Sequence, residues 1–342
     1  MDEKQVKKKA KEKKMSYSKL NVYDSCAWKY YLTYELNHFT FESSLSSELG
    51  TLIHSVEENI FKAIKEGREV DYNKVKAYFN SINIPKKDKY DTDGGIFGLD
   101  ILKEKYKKDF YQTDELGRSY YSKALDYISS GVYRLQDFLK ENPDIVPFEA
   151  EKFFSFTYRG YVLSGYIDRI FYDKAKDMYI IEDIKTKAKP FKEDDLKTPL
   201  QFVIYCMGLH ECLEIPYEKM DCFYNLPILN ERQHAGTKGF IERGITKINK
   251  ILDNIEGKEW KPDPSPLCYW CPYSASNPNQ PEGGKNLCPY YSLYDPDDKS
   301  KIKEVKNKWE GLENHEVVML RFLEQTGQIS IKKIAEEFDF DF

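Results

Sequence analysis

The amino-acid sequence predicts an α/β protein whose core is a small mixed sheet flanked by helices. Three strand candidates, rich in β-branched and aromatic residues, follow one another at 147–158, 160–173 and 176–185 and are joined by short polar turns. A helix at about 193–213, a strand at 218–225 and a helix at 236–256 come next. Because helical patterns also precede the strands, we expect the sheet to carry helical elaborations, with a cysteine-rich segment towards the C-terminus.

The helices before the sheet are predicted from the spacing of apolar residues. Residues 17–36 form a first candidate with aromatic and aliphatic side chains on one side. A stronger pattern covers about 44–66, where the apolar stripe consists of Leu45, Leu49, Leu52, Ile53, Val56, Ile60 and Ile64. Residues 85–100 are loop-like, and residues 114–141 are predicted to be helical again.

These patterns divide the 342-residue chain into five predicted regions. In chain order they are a basic disordered arm (1–15), an N-terminal helical region (16–145), a core of strands and helices (146–256), a cysteine-rich segment (257–298), and a C-terminal helix with an acidic-aromatic tail (299–342). The helix of the last region is expected over about 299–326.

Composition excludes several classes of protein. No stretch approaches 18 uninterrupted apolar residues, so no membrane segment is predicted. The N-terminus has seven lysines within residues 4–14 and no apolar run after them, so it is not a secretory signal; we expect an intracellular, cytoplasmic protein. That lysine arm is predicted to be a solubilising tail, with contact to phosphates as the alternative. A formal net charge of −5 argues against a uniformly basic nucleic-acid binder but is compatible with a local basic groove.

Two carboxylates and a lysine lie at one end of the second and third strand candidates. If these strands form a hairpin around 174–177, residues whose numbers sum to about 351 lie opposite each other, and Asp168 and Asp183 satisfy that sum. Their Cβ atoms would then be roughly 5 Å apart. Because alternate residues of a strand share a face, Asp183 and Lys185 point together while Glu182 points away.

Adjacent carboxylates repel each other unless a cation lies between them or one is protonated. Mg²⁺ and Mn²⁺ prefer such oxygen ligands, and a neighbouring lysine suits charge stabilisation on a phosphate. The alternative is a solvated, polar strand end. From the pattern alone, both interpretations stay open.

Several motifs in order resemble the PD-(D/E)XK nuclease superfamily, and more closely its RecB-like exonuclease branch that carries a cysteine-bound iron–sulfur cluster, as in CRISPR-associated and AddB-type nuclease domains. The motifs are G50-T-L-I-H54, D168 with E182-D183-I184-K185-T186, Q201-F-V-I-Y205, Cys26, C268-Y-W-C271 and C288-P. The resemblance spans about residues 16–291. It implies a restriction-endonuclease-like fold, with residues 146–256 as the nuclease core.

The resemblance also implies roles for individual residues. His54, Asp168, Asp183 and the carbonyl of Ile184 would be metal ligands for Mg²⁺ or Mn²⁺, and Lys185 the catalytic lysine. Gln201 and Tyr205, one helical turn apart, would face the site and contact DNA or support the lysine. Glu182 in the acidic position is the rival register. For Glu151 a solvated glutamate is the preferred interpretation, with membership of a second metal shell as the alternative.

The cysteines fall into two groups. CxxC places two thiolates on one turn, which suits zinc or an iron–sulfur cluster. By the resemblance, Cys26, Cys268, Cys271 and Cys288 would hold a [4Fe–4S] cluster of structural purpose, with Zn²⁺ in the same cage as the alternative. Cys206, Cys212 and Cys222 lie in helix and strand patterns and are predicted to be buried packing residues.

The predicted function is that of a metal-dependent DNA exonuclease acting on single strands or duplex ends in phage or prokaryotic recombination, repair or replication. Alternatives are an endonuclease or DNA-end processor within a larger complex, a nonenzymatic nuclease-like scaffold, and a zinc-stabilised DNA-binding module. The last six residues alternate acids with Phe338, Phe340 and Phe342. This tail is expected either to pack on its own domain or to recruit a protein partner.

Overall fold

The computed structural model describes residues 13–38, 43–85 and 95–307, apart from 115, 188, 264, 275, 282–283, 285–286, 289 and 296–297, and for 290–307 it describes the backbone alone. The chain divides into two compact units. Unit 1 consists of residues 1–17 and 43–246, and unit 2 of residues 18–42 and 247–342. The predicted five-region division stays a prediction.

The helices of unit 1 before the sheet form one cluster. They are α3 (Leu45–Lys65), α4 (Tyr72–Ser81), α5 (Leu99–Tyr111), α6 (Tyr120–Ser129), a 3₁₀ turn (Gly131–Tyr133) and α7 (Arg134–Glu141). Helix α3 begins where the Ser44 side chain accepts a hydrogen bond from the backbone of Ser47, a usual N-terminal cap. Its apolar stripe is buried as the periodicity predicts, in a core with residues of α4 to α7 and with Phe171 of the sheet.

The sheet of unit 1 has six strands and is mixed, as predicted. The strands are β1 (Lys13–Met15), β4 (Ile145–Tyr158), β5 (Tyr161–Asp173), β6 (Met178–Ile184), β7 (Met220–Leu226) and β8 (Glu231–Ala235), in the order β1-β5-β6-β7-β8 with β4 paired to β5. The pairs β1–β5 and β6–β7 are parallel, and the others are antiparallel. A separate short hairpin joins β2 (Asn83–Ile84) to β3 (Ile96–Phe97).

The hairpin of β5 and β6 has the predicted register. Arg169 pairs with Glu182, and Asp173 pairs with Met178, so paired residue numbers sum to 351. The connection is the turn at 174–177, where the Asp173 side chain accepts hydrogen bonds from two turn amides and Asp177 adopts φ 53. This register brings Asp168 and Asp183 to the same end of the hairpin.

Two helices connect β6 to its parallel neighbour β7. They are α8 (Glu193–Lys197) and α9 (Leu200–Leu213), which the sequence pattern had merged into one. Helix α9 is buried over most of its length and lies close to β4. At position 208 of the helix only glycine fits without a shift, because the Cβ of any other residue would meet the Phe154 ring of β4. A parallel pair needs such a crossover, so α9 is held against the sheet beside the end of β6.

Unit 2 joins the N-terminal and C-terminal segments of the chain. Its elements include α1 (Tyr17–Ser25), α2 (Ala27–Tyr30), a π-helical turn (Tyr31–Glu35), a 3₁₀ turn (Pro266–Trp270), β9 (Tyr290–Asp295) and β10 (Asp298–Asn307), and α10 (Phe240–Glu256) leads into it from unit 1. Trp260 stacks on Tyr30 and Tyr31, with ring centroids 5.9 and 5.3 Å away. The Trp28 indole donates to the carbonyl of Leu287 at 3.0 Å. These contacts hold the two segments together.

Some sequence-based expectations are wrong. Residues 13–15 of the predicted disordered arm form β1, and residues 299–307 of the predicted C-terminal helix lie in β10, where β-branched Ile302 and Val305 suit a strand. The first helix of 17–36 is divided at Cys26, whose backbone is extended. Part of the loop predicted at 85–100 forms β3 and the start of α5, and β8 was not predicted.

The remaining expectations on the two chain ends concern residues outside the described ranges. These are the lysine arm up to residue 12, most of the predicted C-terminal helix and the acidic-aromatic tail. Among the described residues, no helix has both the length and the hydropathy that a membrane crossing requires.

Candidate active site

Asp183 lies at the end of β6 with its carboxylate fully buried against α9. Its Oδ1 atom accepts a hydrogen bond from Gln201 Nε2 at 2.7 Å and one from the Tyr205 hydroxyl at 3.1 Å. Its Oδ2 atom is 2.5 Å from Lys185 Nζ, so these two residues do share a face of the strand end. Gln201 also donates to the Tyr205 hydroxyl at 2.7 Å. Both carboxylate oxygens of Asp183 are therefore fixed in position.

Asp168 on β5 lies beside a histidine and a glutamate. Its Oδ2 atom accepts a hydrogen bond from the backbone amide of Ile184 at 2.6 Å and is 3.6 Å from His54 Nδ1 on α3. One ligand atom each from His54, Glu151 and Asp168 lies within 4.8 Å of the other two. This grouping offers one nitrogen and two oxygen donors, which suits a divalent metal ion.

Glu151 is brought to the site by an irregularity in β4. The pairing of β4 with β5 shifts register between Pro147 and Glu149, and Glu151 itself has φ 47, in the left-handed region. Its neighbours Ala150 and Lys152 pair with residues 169 and 167, which places Glu151 across from Asp168. Glu151 is half-buried within this group, so it is less solvated than the sequence-based expectation had it.

The pKa values of two carboxyl groups in the site, Glu151 and Asp183, are raised. Burial, with the nearby Asp168 and Glu58 carboxylates, raises the pKa of Glu151 to about 7. Burial also raises the pKa of Asp183, against the opposing effect of Lys185. For Lys185 burial acts to lower the pKa, but the Asp183 and Asp168 carboxylates outweigh it and the net shift is upward, so the lysine is charged. The site has more negative charge than Lys185 balances, and a cation relieves it.

The rival residue Glu182 points to the other side of the sheet. It is buried there beside Arg169 and the half-buried Arg232, whose Nε atom lies 2.5 Å from Oε1 of Glu182. Arg169 Nε is 3.9 Å from its Oε2 atom. Strand alternation thus gives the two adjacent acids different surroundings: Asp183 faces Lys185 and α9, and Glu182 faces an arginine cluster.

Helix α3 approaches the end of β6 closely enough to place His54. One turn before His54, a Cβ built on Gly50 would lie 3.2 Å from the Thr186 hydroxyl oxygen. A larger residue at position 50 would crowd the Thr186 side chain, so the glycine suits the close approach of helix and strand.

A family model matches residues 14–276, which is more than half of the chain, and its description is the PD-(D/E)XK nuclease superfamily. The chain belongs to the PD-(D/E)XK nuclease superfamily. The mixed sheet flanked by helices is the restriction-endonuclease-like fold of this superfamily, as predicted.

Two solved structures are similar to this PD-(D/E)XK chain. One, a protein of Eubacterium rectale named "Putative exonuclease", is 14% identical with a TM-score of 0.40, and the match covers 79% of this chain and 91% of that one. The other, named SSO0001, is 16% identical with a TM-score of 0.22, and the match covers 50% and 75%. No curated protein matches the sequence.

The four cysteines predicted to hold a cofactor line one cavity in unit 2 of the PD-(D/E)XK chain. This cavity has a volume of about 50 Å³ and is lined by Cys26, Cys268, Cys271 and Cys288. Burial raises the pKa of Cys26 and raises that of Cys271 to about 11. Among the described residues, no three of these sulfurs lie within 4.8 Å of one another. The fold has nevertheless gathered cysteines from positions some 240 residues apart in sequence.

The other three cysteines were predicted to be buried. Cys206 and Cys222 are, with their sulfur atoms 3.7 Å apart, but Cys212 is exposed because it lies in the last turn of α9. Sequence reasoning underestimated Glu151 and missed the arginine cluster around Glu182. Both depend on the pairing of β4 and β8 with their neighbours, and no local motif indicates that pairing.

Proposed function

We propose that this chain is a metal-dependent deoxyribonuclease of the RecB-like branch that hydrolyses DNA from its ends. The observation that carries the proposal is the convergence of His54, Glu151 and Asp168 with the Asp183–Lys185 pair at one end of β5 and β6. These residues fit a divalent ion, since the donor set is mostly oxygen and since burial, together with the neighbouring carboxylates, raises the pKa of Glu151.

His54, Glu151, Asp168 and Asp183 would hold Mg²⁺ or Mn²⁺, with the Ile184 carbonyl as a further ligand implied by the family resemblance. When bound, such an ion polarises the scissile phosphate and lowers the pKa of a water molecule. Lys185 holds a positive charge beside Asp183, where negative charge on the phosphate would develop. Gln201 and Tyr205 keep the Asp183 carboxylate in one orientation through the two hydrogen bonds to Oδ1.

A basic and aromatic segment follows the catalytic strand and supports a DNA substrate. Lys187 Nζ lies 3.5 Å from the centroid of the Phe191 ring, and Phe191 stacks on Tyr224 at 4.0 Å. Phe191 and Lys187 are half-buried, and Lys189 is exposed. Lysines contact DNA phosphates irrespective of base sequence, and aromatic rings stack on bases. We infer that this segment guides the strand towards Lys185.

We further propose that Cys26, Cys268, Cys271 and Cys288 hold a [4Fe–4S] cluster, with Zn²⁺ as the alternative. The donor set fits, because all four thiols share one cavity and Cys268 Sγ accepts a hydrogen bond from the backbone amide of Ser265 at 3.4 Å. Since burial favours the neutral thiol for Cys26 and Cys271, a bound metal is what would stabilise their thiolates. The ligands come from both segments of unit 2, so the expected purpose is to hold these segments together.

The test of the activity compares DNA with and without ends. Linear single-stranded and duplex DNA, labelled at either end, and closed circles of the same sequence are incubated with Mg²⁺, Mn²⁺ or EDTA. The proposal predicts metal-dependent loss of the linear forms with circles intact. Linearised circles would show an endonuclease or end processor instead, and no cleavage of any substrate with either metal would support a nonenzymatic scaffold.

The proposal also includes a biological role. By the family resemblance, the nuclease would act in phage or prokaryotic recombination, repair or replication.

A further inference from the structure

Besides the cysteine-lined cavity of unit 2, a cavity in unit 1 opens on the side of the sheet to which Glu182 points. It has a volume of about 460 Å³ and lies between α7 and the strands β5 to β8. Cavities that bind ligands of nucleotide or drug size have volumes of about 300–1,000 Å³. The cavity is therefore large enough for such a ligand, and none of the residues assigned to catalysis lines it.

Three arginines from different elements line this cavity: Arg134 of α7, Arg169 of β5 and Arg232 of β8. Arg169 is only 1% exposed and donates to Glu57 Oε2 at 2.6 Å through Nη2. Its other two nitrogens, Nε and Nη1, make no hydrogen bond to any residue that the structure describes, although Nε is 3.9 Å from Glu182. Buried guanidinium donors without acceptors are costly, so they indicate a group that accepts from them.

Further unpaired polar atoms surround the same space. Within the described part of the chain, Arg232 Nη2 and Asn225 Oδ1 are buried and have no hydrogen-bond partner. The Arg232 guanidinium is held in place by the ring of Phe223, 3.6 Å away, and by Glu182. Arg134 Nη1 donates to the carbonyl of Glu231 at 3.0 Å, which fixes this side chain at the cavity as well.

Positive charge exceeds negative charge in the inner part of the cavity. The three arginines are opposed there by two carboxylates, Glu182 and Glu57. The other acids of the lining, Asp137 and Glu141, are exposed on α7, and Asp137 lies 3.9 Å from Lys140. Burial lowers the pKa of Arg134, and the neighbouring Arg169 and Arg232 add to that effect. An anion with several acceptor oxygens would neutralise the excess positive charge of the arginines and accept hydrogen bonds from their unpaired N–H groups.

We propose that this cavity is a second ligand site, which binds a small molecule bearing a phosphate group. The arginine forks match phosphate oxygens, and the remaining volume with Asn225 and Asn230 is sufficient for a nucleoside. A nucleoside monophosphate and inorganic phosphate share the recognised group, and binding measurements separate them. The proposal is independent of the nuclease activity, because the two sites use different residues.

The test is isothermal titration calorimetry of the full chain in EDTA, with dAMP, inorganic phosphate and deoxyadenosine as probes. We expect saturable binding of dAMP or phosphate and none of deoxyadenosine. Tighter binding of dAMP than of phosphate identifies a nucleotide site, and equal affinities identify a phosphate site. No binding of either probe at millimolar concentration by the wild-type protein would overturn the proposal.

Variants locate the binding. Arg232→Gln and Arg134→Gln should each weaken binding by about tenfold or more, as expected for a lost charge-assisted hydrogen bond. Asn230→Gly keeps the positive φ of 53 and removes only a lining amide, so it tests the cavity without touching the ion pairs. It should weaken dAMP binding several-fold if dAMP is the ligand.

Arg68→Gln is the matched control, because Arg68 is an exposed arginine that pairs with Glu66 and does not line the cavity. This variant should bind the probes as the wild type does. Asp183→Asn should also bind them like the wild type, which would exclude the candidate active site as the place where the probes bind. Circular dichroism melts establish that each variant is folded. Unchanged binding in folded Arg134→Gln and Arg232→Gln would place the anion elsewhere and refute the proposal.

Discussion

Gln201 Nε2 donates a 2.7 Å hydrogen bond to Oδ1 of Asp183, a carboxylate that is 1% exposed. Helix α9, which follows β6 in the chain, thereby fixes the orientation of an acid at the end of that strand. Tyr205, one turn later, donates to the same oxygen. The Q-x₃-Y pattern is thus explained by geometry: residues four apart on α9 both reach Asp183.

This relationship predicts that Tyr205→Phe slows DNA cleavage while the protein stays folded. The hydroxyl contributes one hydrogen bond to a buried charged group, worth about 1.5 kcal/mol, or roughly a tenfold loss of rate if it orients Asp183 for the reaction. The measurement is the single-turnover cleavage rate alongside the melting temperature. Tyr172→Phe is the control, since its hydroxyl donates to Asp177 at 2.7 Å on the exposed hairpin turn. Equal rates for both variants would contradict a positioning role for Tyr205.

Asp183→Asn and Lys185→Ala should each abolish cleavage while the protein stays folded. The first change removes a carboxylate from the proposed metal site, and the second removes the cation beside it. Cleavage is measured with Mn²⁺, the more permissive ion. The exposed pair Asp194 and Lys197, 2.7 Å apart, provides matched control substitutions that should leave the rate unchanged. A near wild-type rate in either site variant would refute the assignment.

Glu151→Gln and His54→Ala should weaken metal binding, with activity partly restored at high metal concentration. In a grouping whose atoms lie within 4.8 Å of one another, Glu151→Gln replaces an anionic ligand by a neutral amide, and His54→Ala removes a nitrogen donor. The loss of a ligand is expected to lower the affinity for Mn²⁺ by about 10- to 100-fold. Calorimetric titration with Mn²⁺ measures this directly. Glu149→Gln should titrate like the wild type, because Glu149 is a half-buried acid on the same strand that pairs with Lys65. A similar loss of Mn²⁺ affinity in Glu149→Gln would mean that the effect is only one of long-range charge.

Cys26→Ser and Cys268→Ser should lower the thermal stability of the protein and its metal content together. Protein purified without oxygen is expected to be brown and to contain about four irons if the cluster proposal is right, and colourless with about one zinc if the alternative holds. Metal analysis and a visible absorption spectrum decide between them. Cys212→Ser is the control, because Cys212 is exposed and far from these cysteines in sequence. Wild-type protein without iron or zinc would eliminate both forms.

Arg169→Met should strongly destabilise the protein. The substitution leaves Glu57 and Glu182 buried without their shared cation, and removal of one partner of a buried ion pair costs about 3–5 kcal/mol. Urea unfolding followed by fluorescence measures the free energy of unfolding. Arg68→Met is the comparison, because Arg68 forms an exposed pair with Glu66 and should change the free energy by less than about 1 kcal/mol. A small effect at Arg169 would show that the cluster is solvated in solution.

The features of this protein that depend on local spacing along the chain can be predicted from its sequence. The apolar stripe of α3 follows from helical periodicity, and the β5–β6 register follows from a short turn between two alternating strands. Together they bring Asp168 and Asp183 to one end of a hairpin. The choice of Asp183 over Glu182 also follows locally, because only Asp183 shares a face with Lys185.

The partners that these residues meet depend instead on contacts between segments that are distant in the chain. Glu151 reaches Asp168 through a register shift and a left-handed residue in β4, and Arg232 reaches Glu182 from β8, a strand that the sequence pattern did not indicate. Residues 299–307 likewise form a strand where charge and periodicity predicted a helix. In each case the outcome depends on pairing with a distant strand, and hydrogen bonding and burial across that pair outweigh the local preference of the segment.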